Sequence, residues 1–216
     1  RHLRCRGCVD ACVKAKMETF RWSNEATLTD ADAKRHLLHA VTVPEQTRTL
    51  DITLSFEPWI VDGRHNMLTL TVMDPNGFRG AGHRHGSCHV VRLSESSATP
   101  GFLAGPITPG VWQIEVDTHM VLPGVDCTYS LEVVGDNTDV QTTRTTALAD
   151  PSMNVRGDAP GWYRGDLHAH STHSDAGWTV ADLVAFARTR QLDFVTLSDH
   201  NTTSGLNVTN VTFYLD

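Results

Sequence analysis

The sequence predicts a multidomain α+β chain, an antiparallel β-sandwich followed by a βαβ unit of a parallel sheet. Three observations carry this. Apolar residues alternate with polar ones in four runs between residues 41 and 135. Turn motifs separate those runs. After residue 160 the periodicity switches to strand, helix, strand.

Residues 1–40 are mixed in character and read as a weakly structured tail, with a short helix expected from Asp32 to Leu38. Residues 41–135 read as the sandwich. Leu50, Ile52, Leu54 and Phe56 alternate with polar neighbours. So do Leu68, Leu70 and Val72, then Trp112, Ile114 and Val116, then Tyr129, Leu131 and Val133. Period two gives each strand one apolar and one polar face. Asp74-Pro75-Asn76-Gly77, Thr99-Pro100-Gly101, Thr108-Pro109-Gly110 and Leu122-Pro123-Gly124 supply the turns. Residues 136–160, rich in Thr with Asp, Pro and Gly, read as a linker.

From 161 the pattern changes. Tyr163 to His170 is strand-like. Thr179 and Asp182 form a capping box, and Val180, Leu183, Val184 and Ala187 make one apolar helical stripe. Asp193 to Leu197 is a short apolar strand. Two strands joined through a helix imply a parallel pair.

Composition excludes several classes. Lys and Arg total 18 against 25 Asp and Glu, a net charge of −7, so no strong pull on nucleic acid is expected. No apolar run reaches the length of a membrane-spanning helix. No apolar stretch follows the basic N-terminal residues, so no signal peptide is seen. A soluble, cytoplasmic protein is the default expectation. Five Cys are present. Cys5, Cys8 and Cys12 cluster but fall one ligand short of a usual metal set. Cys88 and Cys127 lie in strand-like runs, as core residues or as one disulfide.

The chemistry concentrates in Asp166-Leu167-His168-Ala169-His170 through Asp175, and in Ser198-Asp199-His200-Asn201. His168 and His170, two apart on a strand, point the same way. Asp175 and the pair Asp199-His200 lie just past two neighbouring parallel strand ends, so all share one rim. Imidazole and carboxylate together suit zinc, iron or manganese. His83-Arg84-His85 has the same H-x-H spacing but no strand before it, and reads as solvated loop; His89 could join it. Asn201, Asn207 and Asn210 head N-x-S/T triplets, and a glycan at Asn201 would block the rim beside His200.

These residues carry a family resemblance. Gly165-Asp166-Leu167-His168-Ala169-His170-Ser171 through Asp175, with Ser198-Asp199-His200-Asn201-Thr202, resembles the start of a PHP (polymerase and histidinol phosphatase) domain. The preceding β-rich region, with Pro109-Gly110-Val111-Trp112 and Pro160-Gly161-Trp162-Tyr163-Arg164-Gly165-Asp166, is similar to CehA/McbA-type metallohydrolases. The resemblance implies that residues 161–216 begin a PHP-type (β/α)7 barrel. It implies His168, His170 and Asp175 as ligands of one divalent ion and His200 as ligand of a second, in a cluster of two or three. Asp199 would orient His200, and His173 would be a rim residue. The Asp-Gly usual after the motif is Asp175-Ala176-Gly177 here, which puts the placement of Asp175 in question.

The implied function is metal-dependent hydrolysis, with a small-molecule or nucleotide phosphoester as substrate. Arg164 reads as a solvated cation that could hold an anionic substrate. Only 49 residues run from His168 to Asp216, too few for the family's later ligands. The chain is therefore expected to be a C-terminally truncated fragment, inactive by itself. The CehA/McbA members make carbamate or ester cleavage an alternative. A second alternative is a non-enzymatic binding module with a vestigial metal motif, using Trp59, Trp112 and Trp162 as a stacking platform.

Overall fold

The computed structural model describes residues 18–138, 160–207 and 212–214. Its larger part is a sandwich of two four-stranded antiparallel sheets. The strands are β1 (Glu18–Leu28), β2 (His36–Val43), β3 (Thr49–Glu57), β4 (Ile60–Val61), β5 (Arg64–His65), β6 (Met67–Asp74), β7 (Gly77–Gly82), β8 (Cys88–Ser94), β9 (Gly110–Met120) and β10 (Cys127–Asp136). One sheet has the order β1-β10-β3-β8 and the other β2-β9-β6-β7, while β4 and β5 form a small separate hairpin.

The alternating residues build the interior. Leu50, Ile52, Leu54, Leu68, Val72, Trp112, Ile114, Val116, Leu131 and Val133 are all fully buried. Each such large side chain contributes about 1.5–3 kcal/mol relative to exposure. Two of the expectations for residues 1–40 are corrected. β1 runs through the region read as tail, paired along its length with β10. The helix expected from Asp32 to Leu38 is a single 3-10 turn at Asp30–Asp32, after which the chain enters β2. Thr29 and Asp32 cap that turn, a local signal shared by both helix types. Cys127 is buried in β10, where burial pushes its thiol up to about 11, whereas Cys88 is exposed. Both are free thiols, so the disulfide alternative is excluded. Trp112 is fully buried and Trp59 packs against the core, which removes two members of the stacking platform.

The loops joining β7, β8 and β9 are fastened from inside. Arg79 is buried, pairs with Asp74 at 3.0 Å and donates to the carbonyls of Leu103, Gly105 and Pro106. Gly80 bridges Phe102, and a Cβ on Gly80 would lie 2.4 Å from the Phe102 Cα. Thr99-Pro100-Gly101-Phe102 closes a turn through Phe102 N–H to Thr99 C=O, with Gly101 at φ +95°. Pro then Gly at the two central positions is what a type II turn requires.

The second unit holds β11 (Gly165–Ala169), α1 (Val180–Thr189), β12 (Phe194–Leu197) and β13 (Thr212–Tyr214). The Thr179 hydroxyl accepts from Asp182 N–H and the Asp182 carboxylate accepts from Thr179 N–H, so the capping box opens α1 as its residues predict. Val180, Val184 and Ala187 bury the helix stripe against Ala169, Val195 and Leu197. Gly165 faces the Phe194 ring so closely that a Cβ would lie 2.3 Å from it.

The fold-class expectation is corrected here. The described residues are mostly antiparallel β-structure with one ten-residue α-helix, not an α+β chain with the start of a (β/α)7 barrel. β11 and β12 are parallel, but β13 runs antiparallel to β12 on its other side. A barrel needs a helical crossover and a parallel strand at that place. Residues 198–207 hold only a 3-10 turn, Ser204–Asn207. The expectations for Cys5, Cys8 and Cys12, for most of the 136–160 linker and for the Asn210 triplet fall outside the described residues. No described helix is long and apolar enough to cross a membrane.

Candidate metal centre

The strand end of β11 and the strand end of β12 lie side by side, and the ladder continues past them through Ser198 N–H to Ala169 C=O at 2.8 Å. This places His168, His170, Asp175 and His200 together. The Nε2 atoms of His168 and His170 are 2.9 Å apart. His170 Nδ1 is 2.9 Å from Asp175 Oδ1, and His200 Nε2 is 3.8 Å from Asp175 Oδ2. The His170 and His200 rings meet edge to face at 4.4 Å. With Asp175 ionised, Nδ1–H of His170 donates to it, so neutral His170 keeps its Nε2 lone pair for an N–H of His168.

Asp175 sits in a compact turn. Ser174 and Ala176 both donate their N–H to the Ser171 carbonyl, and Thr172 N–H donates to Trp178 C=O. Ala176 is not among the non-glycine residues with positive φ, so the Asp-Ala sequence fits here without strain. Burial works to raise the Asp175 carboxyl. The hydrogen bond from His170 and the backbone N–H bond outweigh it, helped by the positive potential of the His170 and His200 imidazoles when protonated, and hold the carboxyl below its ordinary range.

Asp199 makes its hydrogen bonds to the Ser171–Ser174 turn, not to His200 as the resemblance implied. Its Oδ1 accepts from Ser171 N–H at 2.7 Å and from the Ser174 hydroxyl at 2.6 Å, and its Oδ2 accepts from the Ser171 hydroxyl at 2.6 Å. Its observed partners are thus the turn that carries Asp175. His173 meets the sandwich, its Nδ1 accepting from Gly101 N–H at 3.4 Å and lying 2.7 Å from Ser204 Oγ. Arg164 uses its backbone N–H and C=O on Asp193, flanking the strand rather than the cluster.

The sandwich supplies a neighbour that the sequence reading put in solvent. His83 lies just past β7 with its ring 4.8 Å from that of His200 and 5.4 Å from that of His119. His83, Asp175 and His200 each offer one ligand atom, and the three atoms lie within 4.8 Å of one another. Burial, then the His119 and His200 charges, lower the His83 pKa and favour its neutral, ligating form. Its Nδ1 is buried without a hydrogen-bond partner. The H-x-H spacing of His83 and His85 does not reveal this, because the neighbours of His83 come from distant segments, His119 in β9 and Asp175 and His200 in the second unit. His85 is exposed, as the solvated-loop reading expects.

The donor set fits a divalent cation. Several imidazoles and one carboxylate converge, one ring nitrogen is orphaned and another faces a second imidazole, an arrangement suited to zinc, iron or manganese. Of the residues implicated by the sequence, Asp175 and His200 fall with His83 in the group whose ligand atoms lie within 4.8 Å of one another, while His170 touches Asp175 and His168 touches His170 beside that group without belonging to it; Asp199 holds the turn that carries Asp175. A cavity of about 260 Å³ opens in the sandwich, lined by Arg84, Phe102, Cys88 and His89 among others. The chain matches no known family model and no curated protein.

Proposed function

We propose that the protein is a metal-dependent hydrolase, acting on phosphoesters in preference to carbamates or carboxylic esters. The observation that supports this reading is the convergence of His168, His170, Asp175 and His200 at two adjoining strand ends. A divalent cation supplies Lewis acidity and an activated water to such a centre when bound.

The chain's own residues set the stage for that chemistry. His170 and Asp175 hold each other in register through the Nδ1 contact, which leaves the lone pair on the other ring nitrogen, Nε2. Asp199 fixes the Ser171–Ser174 turn and so the position of Asp175. The resemblance to PHP domains favours the phosphoester class, and its CehA/McbA branch is the reason carbamates and esters stand second.

Metal analysis of the purified chain after reconstitution with zinc, manganese or iron tests the centre. Stoichiometric metal in the wild type, lost in His170→Ala and Asp175→Asn, is expected. A chain that carries no metal beyond traces, or one that loads equally in both variants, overturns the reading. Substrate class is separable by titrating the cobalt-loaded protein. Phosphate should shift its visible absorption; a shift with acetate and none with phosphate would move the assignment to ester or carbamate substrates.

A further inference from the structure

We infer that His83 of the sandwich is a ligand of this metal centre, so that metal binding and docking of the two units are one coupled equilibrium. This rests on the hydrolase reading for the presence of a metal, and goes beyond it in placing part of the site on the other unit.

Two sets of observations meet. The first is the ligand geometry. One atom each of His83, Asp175 and His200 lie within 4.8 Å of one another, and His83 Nδ1 is buried with no partner among the described residues. A buried imidazole nitrogen without a partner costs free energy unless something satisfies it. His119 stands behind His83, its own Nε2 2.8 Å from the Thr69 hydroxyl, so the His83 ring is backed by a side chain held by β6. Residues of both units thus face one small volume.

The second is the way the units meet. Gly101 N–H donates to Ser204 Oγ at 3.0 Å, and the Thr202 hydroxyl donates to Gly101 C=O at 2.6 Å. Arg84, next to His83, donates to Thr172 C=O in the turn that carries Asp175. The backbone is tight on both sides of Gly101, where a Cβ would lie 2.9 Å from the Ala81 carbonyl oxygen of β7 and 2.9 Å from the His173 carbonyl oxygen of the second unit. Thr202 and Ser204 follow His200 by two and four residues. The contacts that dock the units therefore also set the distance between His83 and His200.

If one cation is shared, its affinity must depend on docking, and by reciprocity it must tighten docking by the same factor. The test measures zinc affinity of the full chain by competition with a chromophoric chelator, alongside hydrogen exchange of the Gly101 amide. His83→Ala is expected to weaken zinc by more than about 100-fold. Thr202→Val, which removes no ligand, is expected to weaken it about 10- to 100-fold, the range for groups that orient ligands. His85→Ala should leave it unchanged. Zinc should slow Gly101 exchange in the wild type and not in His83→Ala. If His83→Ala fails to fold, Thr202→Val, which loses one hydroxyl, decides. Wild-type affinity in His83→Ala or in Thr202→Val overturns the shared centre and leaves the hydrolase reading standing. Failure of the wild type to bind any divalent metal overturns both.

Discussion

Removing the Asp199 carboxylate tests what holds the turn that presents Asp175. The three hydrogen bonds to that carboxylate come from Ser171 N–H, the Ser171 hydroxyl and the Ser174 hydroxyl, at 2.6–2.7 Å. Ser171 and Ser174 are buried, so Asp199→Ala strands their donors away from water. Hydrogen bonds to a charged group contribute about 1.5–3 kcal/mol each, and three that share one acceptor are not additive, so a loss of about 3–5 kcal/mol is expected. The unit has a small buried core, Ala169, Val180, Val184, Ala187, Val195 and Leu197, so that loss is large beside its own stability. Asp199→Asn keeps the volume and one acceptor and should cost about 1–2 kcal/mol. Urea unfolding gives the loss, and hydrogen exchange at the Ser171 and Thr172 amides locates it. Zinc affinity should fall in step with turn protection across the two variants. Unchanged exchange in Asp199→Ala would refute the argument. So would an Asn variant that loses metal with its turn intact, because Asp199 would then be a ligand rather than a support.

Arg79→Ala should destabilise the sandwich by about 3–5 kcal/mol in chemical denaturation, because Asp74 is left buried and unpaired. Arg79→Lys should recover only part of this, since one ammonium cannot reach Asp74 and three carbonyls in the guanidinium's fork; full recovery would contradict the assignment. Acid should weaken the sandwich. Burial holds His89 below its ordinary 6.5, so the folded state refuses a proton that the unfolded chain accepts. Stability is then complete above about pH 6.5 and declines as pH falls from there toward the folded value. Melting temperature against pH should show that decline, and His89→Gln should flatten it; equal slopes would rule His89 out as the cause. His36 has the opposite sign, its pKa raised by Asp117 and Glu115, so what it contributes is present below 6.5 and fades as pH rises through its folded value.

Period-two alternation made the inner strands legible: Leu50 to Phe56, Leu68 to Val72 and Trp112 to Val116 all point into the core they predict. β1 was not, because its inward positions Phe20, Trp22 and Ala26 are only half-buried at a sheet edge and Asn24 interrupts them. The capping box of α1 was legible because it is made within four residues. The antiparallel return of β13 was not, since its pairing with β12 is decided across a long connection. The same distinction divides the site. His168, His170 and Asp175 lie within eight residues and His200 follows the next strand, so spacing alone brought them into view. His83 reaches the group through the Gly101 turn's contacts with Thr202 and Ser204 and the Arg84 contact with Thr172. No window on the sequence contains that information.

Gly101 has a consequence for anyone who reshapes this molecule. Even in a freestanding sandwich, a side chain at the tip of that turn would meet the Ala81 carbonyl oxygen of β7, 2.9 Å from a Cβ. Here the His173 carbonyl oxygen occupies the space a larger residue needs. A mutational scan scored on the sandwich's thermal resistance and one scored on zinc retention should therefore both single out this position, and a graft that transplants either half into another scaffold must carry the complementary loop with it.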